Sequence, residues 1–103
     1  MSYKLIMNWD IKDGQDQEYF EFVVREWVPA TSTLGLQMIA AWYTVYSAHD
    51  DVPKIMAEGL ADDKATMRRI LGSPEWRSIQ ERLMEYVENY SQKVVPVSGG
   101  LQF

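Results

Sequence analysis

The sequence predicts an α+β fold with its elements in the order β-α-β-β-α-β and an antiparallel sheet. Three observations lead there. The N-terminal run alternates with period two, two segments repeat their apolar residues at helical spacing, and two strand-like runs lie side by side between those segments.

The first element is "YKLIMNWDIK". Leu5, Met7, Trp9 and Ile11 alternate with Lys4, Ile6, Asn8, Asp10 and Lys12, which makes a strand with one clearly apolar face. "KDG" ends it, with Gly14 suited to a turn. From Asp16 to about Pro29 the period lengthens. Tyr19, Phe20, Val23, Val24, Trp27 and Val28 form a helical stripe, and Glu18, Glu21, Arg25 and Glu26 take the opposite side. Pro29 and "TSTLG" are expected to stop this helix.

"LQMIAAWYTVYSA" is rich in aromatic and β-branched residues and reads as the second strand. One side carries Ile39, Ala41, Tyr43 and Val45; the other carries Ala40, Trp42, Thr44 and Tyr46. Neither side is polar. An antiparallel strand apolar on both sides needs cover on both. Helices of the same chain can cover one, and the other calls for a partner. "HDDVP" is the next turn and "KIMAEGLAD" the third strand, with Glu58 its internal charge. The stretch "DDKATMRRILGSPEWRSIQERLMEYVENYSQ" is helical with a break at Gly72. Ser73 can cap the restart, Pro74 fits the first helical position, and Glu75 meets the positive end of the dipole. Trp76, Ile79, Leu83, Tyr86, Val87 and Tyr90 make the apolar stripe, and "KVVPVSGGLQF" supplies a short final strand at a sheet edge, given Pro96. The whole is one domain over residues 1–103 in the ferredoxin-like, split-βαβ arrangement.

Composition narrows the function classes. A hydrophobic share of 47% with 24% charged residues is that of a folded domain. A net charge of −5 argues against nucleic acid and anionic membrane as partners. The absence of cysteine excludes a disulfide framework, a thiolate nucleophile and a cysteine metal site. "MSYKLIMNWD" lacks a signal-peptide core, and no apolar run approaches the roughly 18 residues of a membrane helix, so a cytoplasmic protein is expected.

Two stretches resemble a known group. "WDIKDGQDQEYFEFV" is similar to the opening of dimeric α/β-barrel proteins, and "MAEGLADDKATMRRILGSPEWRSI" to their second strand–helix unit with its "SPEW" restart. The superfamily includes antibiotic-biosynthesis-monooxygenase-like, NIPSNAP-like and stress-responsive barrel proteins. The resemblance spans nearly the whole chain, but its motifs are turns and caps, specific for fold alone. It implies a homodimer in which two sheets pack face to face inside a layer of helices. It also implies a small hydrophobic ligand held between sheet and helices or near the dimer seam. No cofactor is expected. The chain departs from the catalytic patterns of the group. Leu5 stands where cyclase-like members carry a histidine. Asn8 and Trp76 echo haem-degrading members, yet the single histidine, His49, lies outside every predicted helix.

Candidate residues fall into three sets. In "VYSAHDDVPK", His49 could act as a general base beside Asp50 and Asp51, or the trio could be the solvated tip of a turn. With no second histidine and no spaced carboxylate motif, no metal site is expected there. Asn8, Asp10 and Glu58 lie on predicted strands among apolar neighbours. Glu58 could serve as a general acid or base if buried, or be part of an intersubunit ion pair or a rim charge reaching water. Trp9, Trp42 and Tyr43 could wall an apolar pocket, whereas Trp27 and Trp76 read as anchors against the sheet. Arg68, Arg69, Arg77 and Arg82 alternate with glutamates on a solvated helix face. Three readings follow. The first is a dimeric barrel protein binding a small hydrophobic molecule. The second is a cofactor-independent monooxygenase or isomerase using Asn8, His49 or Glu58. The third is a non-catalytic dimerisation module.

Overall fold

A computed structural model describes residues 1–43 and 55–97, with only the backbone described over 40–43. Strands β1 (Ser2–Ile11), β2 (Gln37–Tyr43), β3 (Ile55–Ala61) and β4 (Val87–Val97) form a four-stranded sheet in the order β2-β3-β1-β4. Every neighbouring pair is antiparallel. This is the expected ferredoxin-like order. Because side chains alternate along a strand, Leu5, Met7, Trp9 and Ile11 share a face with Ile55, Ala57 and Ala61, and the helices bury that face. None of the described helices is long and apolar enough to cross a membrane.

The first helix runs further than its sequence predicts. It begins as α1 (Asp16–Phe22), widens into a π-helical turn (Val23–Trp27), and continues as α2 (Val28–Leu34) straight through Pro29. At the junction the Val28 N–H reaches back five residues to the Val23 carbonyl, and Pro29 falls in the first turn of α2. The wide turn lets the chain absorb the missing donor of Pro29 without breaking. Its end is a Schellman closure: Gly35 has φ 97°, its N–H bonds the Ser32 carbonyl, and the Leu36 N–H bonds the Thr31 carbonyl. The buried side of the helix is Tyr19, Phe22, Trp27 and Thr31, whereas Phe20, Val24 and Val28 are 50%, 71% and 44% exposed. Half of the predicted stripe therefore faces outward.

The second helical unit is α3 (Lys64–Leu71) and α4 (Pro74–Leu83). Asp63 Oδ1 accepts from the Thr66 N–H at 2.7 Å, and Ser73 Oγ accepts from the Trp76 N–H at 3.1 Å, so both N-termini are capped. The predicted stripe through Tyr86, Val87 and Tyr90 is a correction, since α4 ends at Leu83 and β4 starts at Val87. The Lys12 ammonium donates to the Met84 carbonyl at 3.0 Å, and the Lys12 N–H bonds the Tyr86 carbonyl at 2.9 Å. The end of β1 thus captures the last turn of the helix, and β1's outer row of backbone groups is satisfied by a long β4 rather than a short one. Pro96 lies on that edge strand, where its missing donor is tolerated.

Aromatic packing fills the layer between sheet and helices. Trp9 meets Trp27 at 6.0 Å, and Trp27 meets Trp76 at 5.6 Å between ring centroids. The Trp9 indole N–H donates to the Tyr19 hydroxyl at 3.0 Å, which satisfies its one polar atom. A bulge opposite Trp9, with Asn89 at φ 58°, brings Tyr90 flat against the indole, 5.9 Å away and tilted by 8°. Burial pushes the phenols of Tyr19 and Tyr90 up to about 12.

Candidate functional site

The even-numbered residues of β1 stand on the face away from the helices. Register places their neighbours in cross-sheet rows. Ser91, Asn8, Met56 and Trp42 occupy one row; Lys93, Ile6, Glu58 and Ala40 the next; Val95, Lys4, Leu60 and Gln37 a third. Ile6, Leu60 and Val95 are half-buried and Met56 is 41% exposed, although no described helix lies on this side. The face is neither a clean apolar surface nor a charged one. It is an apolar sheet with a polar centre.

Glu58 is that centre. It stands opposite Ile6, with Lys4 and Asn8 as its two diagonal neighbours on β1. Its carboxylate lies 3.0 Å from the Lys4 ammonium, and the two side chains are 13% and 29% exposed. The carboxylate is thus largely shielded from water. The arrangement provides an acceptor held by a cation, with an amide alongside, on a surface able to receive an apolar molecule. Lys4 was the partner that sequence reading missed. Its polar position in the β1 alternation was visible, but its pairing with Glu58 depends on the β1–β3 register.

The other candidates scatter. Trp9 is 2% exposed and belongs to the aromatic core on the opposite side of the sheet. The backbone register sets Trp42 opposite Met56 and Tyr43 opposite Ile55, so the two occupy opposite faces. The two-sided reading of β2 also needs correcting. Met38 pairs with Gly59 and Ala40 with Glu58, which leaves Ile39 in a bulge, 44% exposed, and out of step with Ala41 and Tyr43. His49, Asp50 and Asp51 lie outside the described residues. Asp10 accepts from the Asn89 amide at 2.9 Å, beside the β4 bulge. Arg82 bridges Glu26 and Glu85 at 2.7 and 3.0 Å on a solvated surface, as its helix position predicts. Among the described residues no group of three or more histidines, cysteines or carboxylates could hold a metal.

Comparison with solved structures supports the fold. The chain is similar to an ethyl tert-butyl ether degradation (EthD) family protein from Bacillus halodurans, with a TM-score of 0.72 and 18% identity over 94% of this chain and 99% of that one. It is similar to a NIPSNAP-like domain protein from Burkholderia xenovorans, with a TM-score of 0.68 and 15% identity over 96% and 88% of the two chains. A dimeric ferredoxin-like protein from Thermobifida fusca matches with a TM-score of 0.65 and 14% identity over 94% and 92%. At such identities the likeness is one of fold. No protein-family model matches the chain, and no curated protein does either.

Proposed function

We propose that the chain is a homodimeric α/β-barrel protein that binds a small hydrophobic molecule at the seam over its open sheet face. One observation carries the reading: Ile6, Met56, Leu60 and Val95 surround the shielded Lys4–Glu58 pair on a face that no described helix covers. A second copy laid over this face would bury the apolar rows. It would also leave the polar centre facing a narrow, dry space, the usual make-up of a ligand site. The dimeric state of the Thermobifida fusca protein, which has the same fold, supports the pairing.

In this reading Glu58 and Asn8 orient the ligand's polar group and Trp42 forms a wall. The catalytic version of the same reading is cofactor-independent oxidation or isomerisation. Glu58 would then move the proton, as the carboxylate at the centre of the face, and His49 would be the remaining titratable candidate. A non-catalytic dimerisation module is favoured by a different observation. The space between sheet and helices is occupied by Trp9, Trp27, Trp76 and Tyr19, with the Trp9 indole already hydrogen-bonded.

Native mass spectrometry of freshly purified protein separates these readings. A dimer carrying an extra mass that leaves on denaturation, and that Glu58→Gln loses, supports the seam site. A clean dimer in every preparation supports the module. A monomer contradicts both.

A further inference from the structure

A second feature lies on the helix side of the sheet, away from the Lys4–Glu58 pair. Lys64 and Arg68 are four residues apart on α3 and so project from one side of it, next to Met67 and Leu71. Tyr3 pairs with Pro96 and Leu5 with Val94, which sets Tyr3 and Val94 on the helix-facing side of β1 and β4. These residues enclose a groove of about 220 Å³. Met67, 2% exposed, is its floor, while Val94 remains 40% exposed because α3 packs over β1 and β3 and leaves edge strand β4 largely uncovered.

Among the described residues, the polar groups around this groove have no partners. Lys4 and Arg82 have carboxylate partners, whereas neither Lys64 nor Arg68 pairs with any carboxylate among the described residues. Among those residues the Tyr3 hydroxyl likewise has no hydrogen-bond partner. In a chain of net charge −5, two cations with no carboxylate partner among the described residues, set beside an apolar hollow, are a local reversal of sign.

We propose that this groove binds an amphipathic organic anion: a monocarboxylate with a short aliphatic or single-ring body. The apolar floor and wall recognise the body, and Lys64 and Arg68 recognise the head, the guanidinium in a planar two-point contact. Size suits the class. At about 30 Å³ per water, the groove holds roughly seven waters' worth of volume, room for a short aliphatic or single-ring body. The Tyr3 hydroxyl supplies a third donor at the rim. The site does not depend on the dimer seam, because its residues stand on the opposite side of the sheet.

Amide NMR titration of the full chain with octanoate tests this, with octanol and octylammonium as probes that share the body and differ in the head. Saturable shifts are expected at the amides of Met67, Leu71 and Val94. Octanol and octylammonium should bind at least about tenfold more weakly, and added salt should weaken octanoate. Lys64→Gln with Arg68→Gln replaces two exposed side chains, so the fold is retained while octanoate affinity falls about tenfold. The proposal is overturned by any of four results: no saturation by about 10 mM octanoate, shifts that map elsewhere, equal binding of octanol, or a double variant that binds like the parent.

Discussion

Gly59→Ala is the substitution whose cost follows most directly from the structure. A Cβ at this position would stand 2.8 Å from Leu36 Cγ and 3.0 Å from each of its methyls. Leu36 is 0% exposed, directly after the Schellman closure, so its side chain has nowhere to go. The β3 backbone cannot retreat either, because Gly59 is paired with Leu5 on one side and Met38 on the other. Two effects compete. Replacing a strand glycine by alanine gains roughly 0.5–1 kcal/mol of backbone entropy, while overpacking a filled core costs about 1–3 kcal/mol. The clash wins, for a net loss of about 1–2 kcal/mol and a fall in Tm of roughly 4–15 °C at this chain length. Leu36→Ala alone should cost about 2–5 kcal/mol through its cavity. The double variant should be better than the sum by about 1–2 kcal/mol, because the clash is gone and the new methyl fills part of the hole. Urea unfolding at fixed protomer concentration gives all four corners of the cycle. A Gly59→Ala variant as stable as its parent, or a strictly additive pair, would contradict a clash between Gly59 and Leu36.

The Lys4–Glu58 pair should respond asymmetrically. Lys4→Met alone strands a shielded carboxylate and should weaken dimerisation at least tenfold, whereas Lys4→Met with Glu58→Leu should recover most of it; sedimentation across a dilution series reads both. Stability should also fall in strong alkali. Below pH 10, Tyr19 and Tyr90 are protonated in both states and their contribution is intact. Between about 10 and about 12 the unfolded chain releases protons that the native phenols keep, so stability drops as pH rises. Tyr19→Phe should flatten that slope in unfolding curves taken from pH 9 upward, and an unchanged slope would contradict the burial assignment. Ser73→Ala removes the acceptor of the Trp76 N–H and should cost about 1 kcal/mol, with Ser73→Asp close to neutral; equal losses for both would argue against a capping role.

What the sequence made legible was whatever one side of one element decides. The alternation of β1 is written in Leu5, Met7, Trp9 and Ile11 because a single face is buried. The Ser73 cap, with Pro74 behind it, is equally local. Failures came where a distant partner settles the outcome. Tyr86, Val87 and Tyr90 continue the helical spacing of α4, yet pairing with β1 and capture by Lys12 turn the chain into a strand. The π-helical turn before Pro29 and the bulge at Ile39 each change the count by about one residue, which a periodic template cannot register. Phe20, Val24 and Val28 then fall on the exposed side. The polar centre was half visible. Glu58 stands out as the one charge in its strand, but its partner Lys4 lies 54 residues earlier and is set beside it only by the β1–β3 register.

In the proposed dimer a second copy covers the open sheet face, and Met56 reports on that face directly. Its side chain is 41% exposed in the single chain, opposite Asn8 on one side and Trp42 on the other, while Met1 is 71% exposed at the terminus. Methionine oxidation by dilute peroxide, followed by peptide mass spectrometry across a dilution series, compares the two in one sample. Met56 is expected to be protected relative to Met1 in concentrated protein and to lose that protection on dilution, in step with dimer dissociation. If Met56 keeps the same rate relative to Met1 at every concentration, in proportion to its exposure in the single chain, the face is open in solution and the barrel does not form.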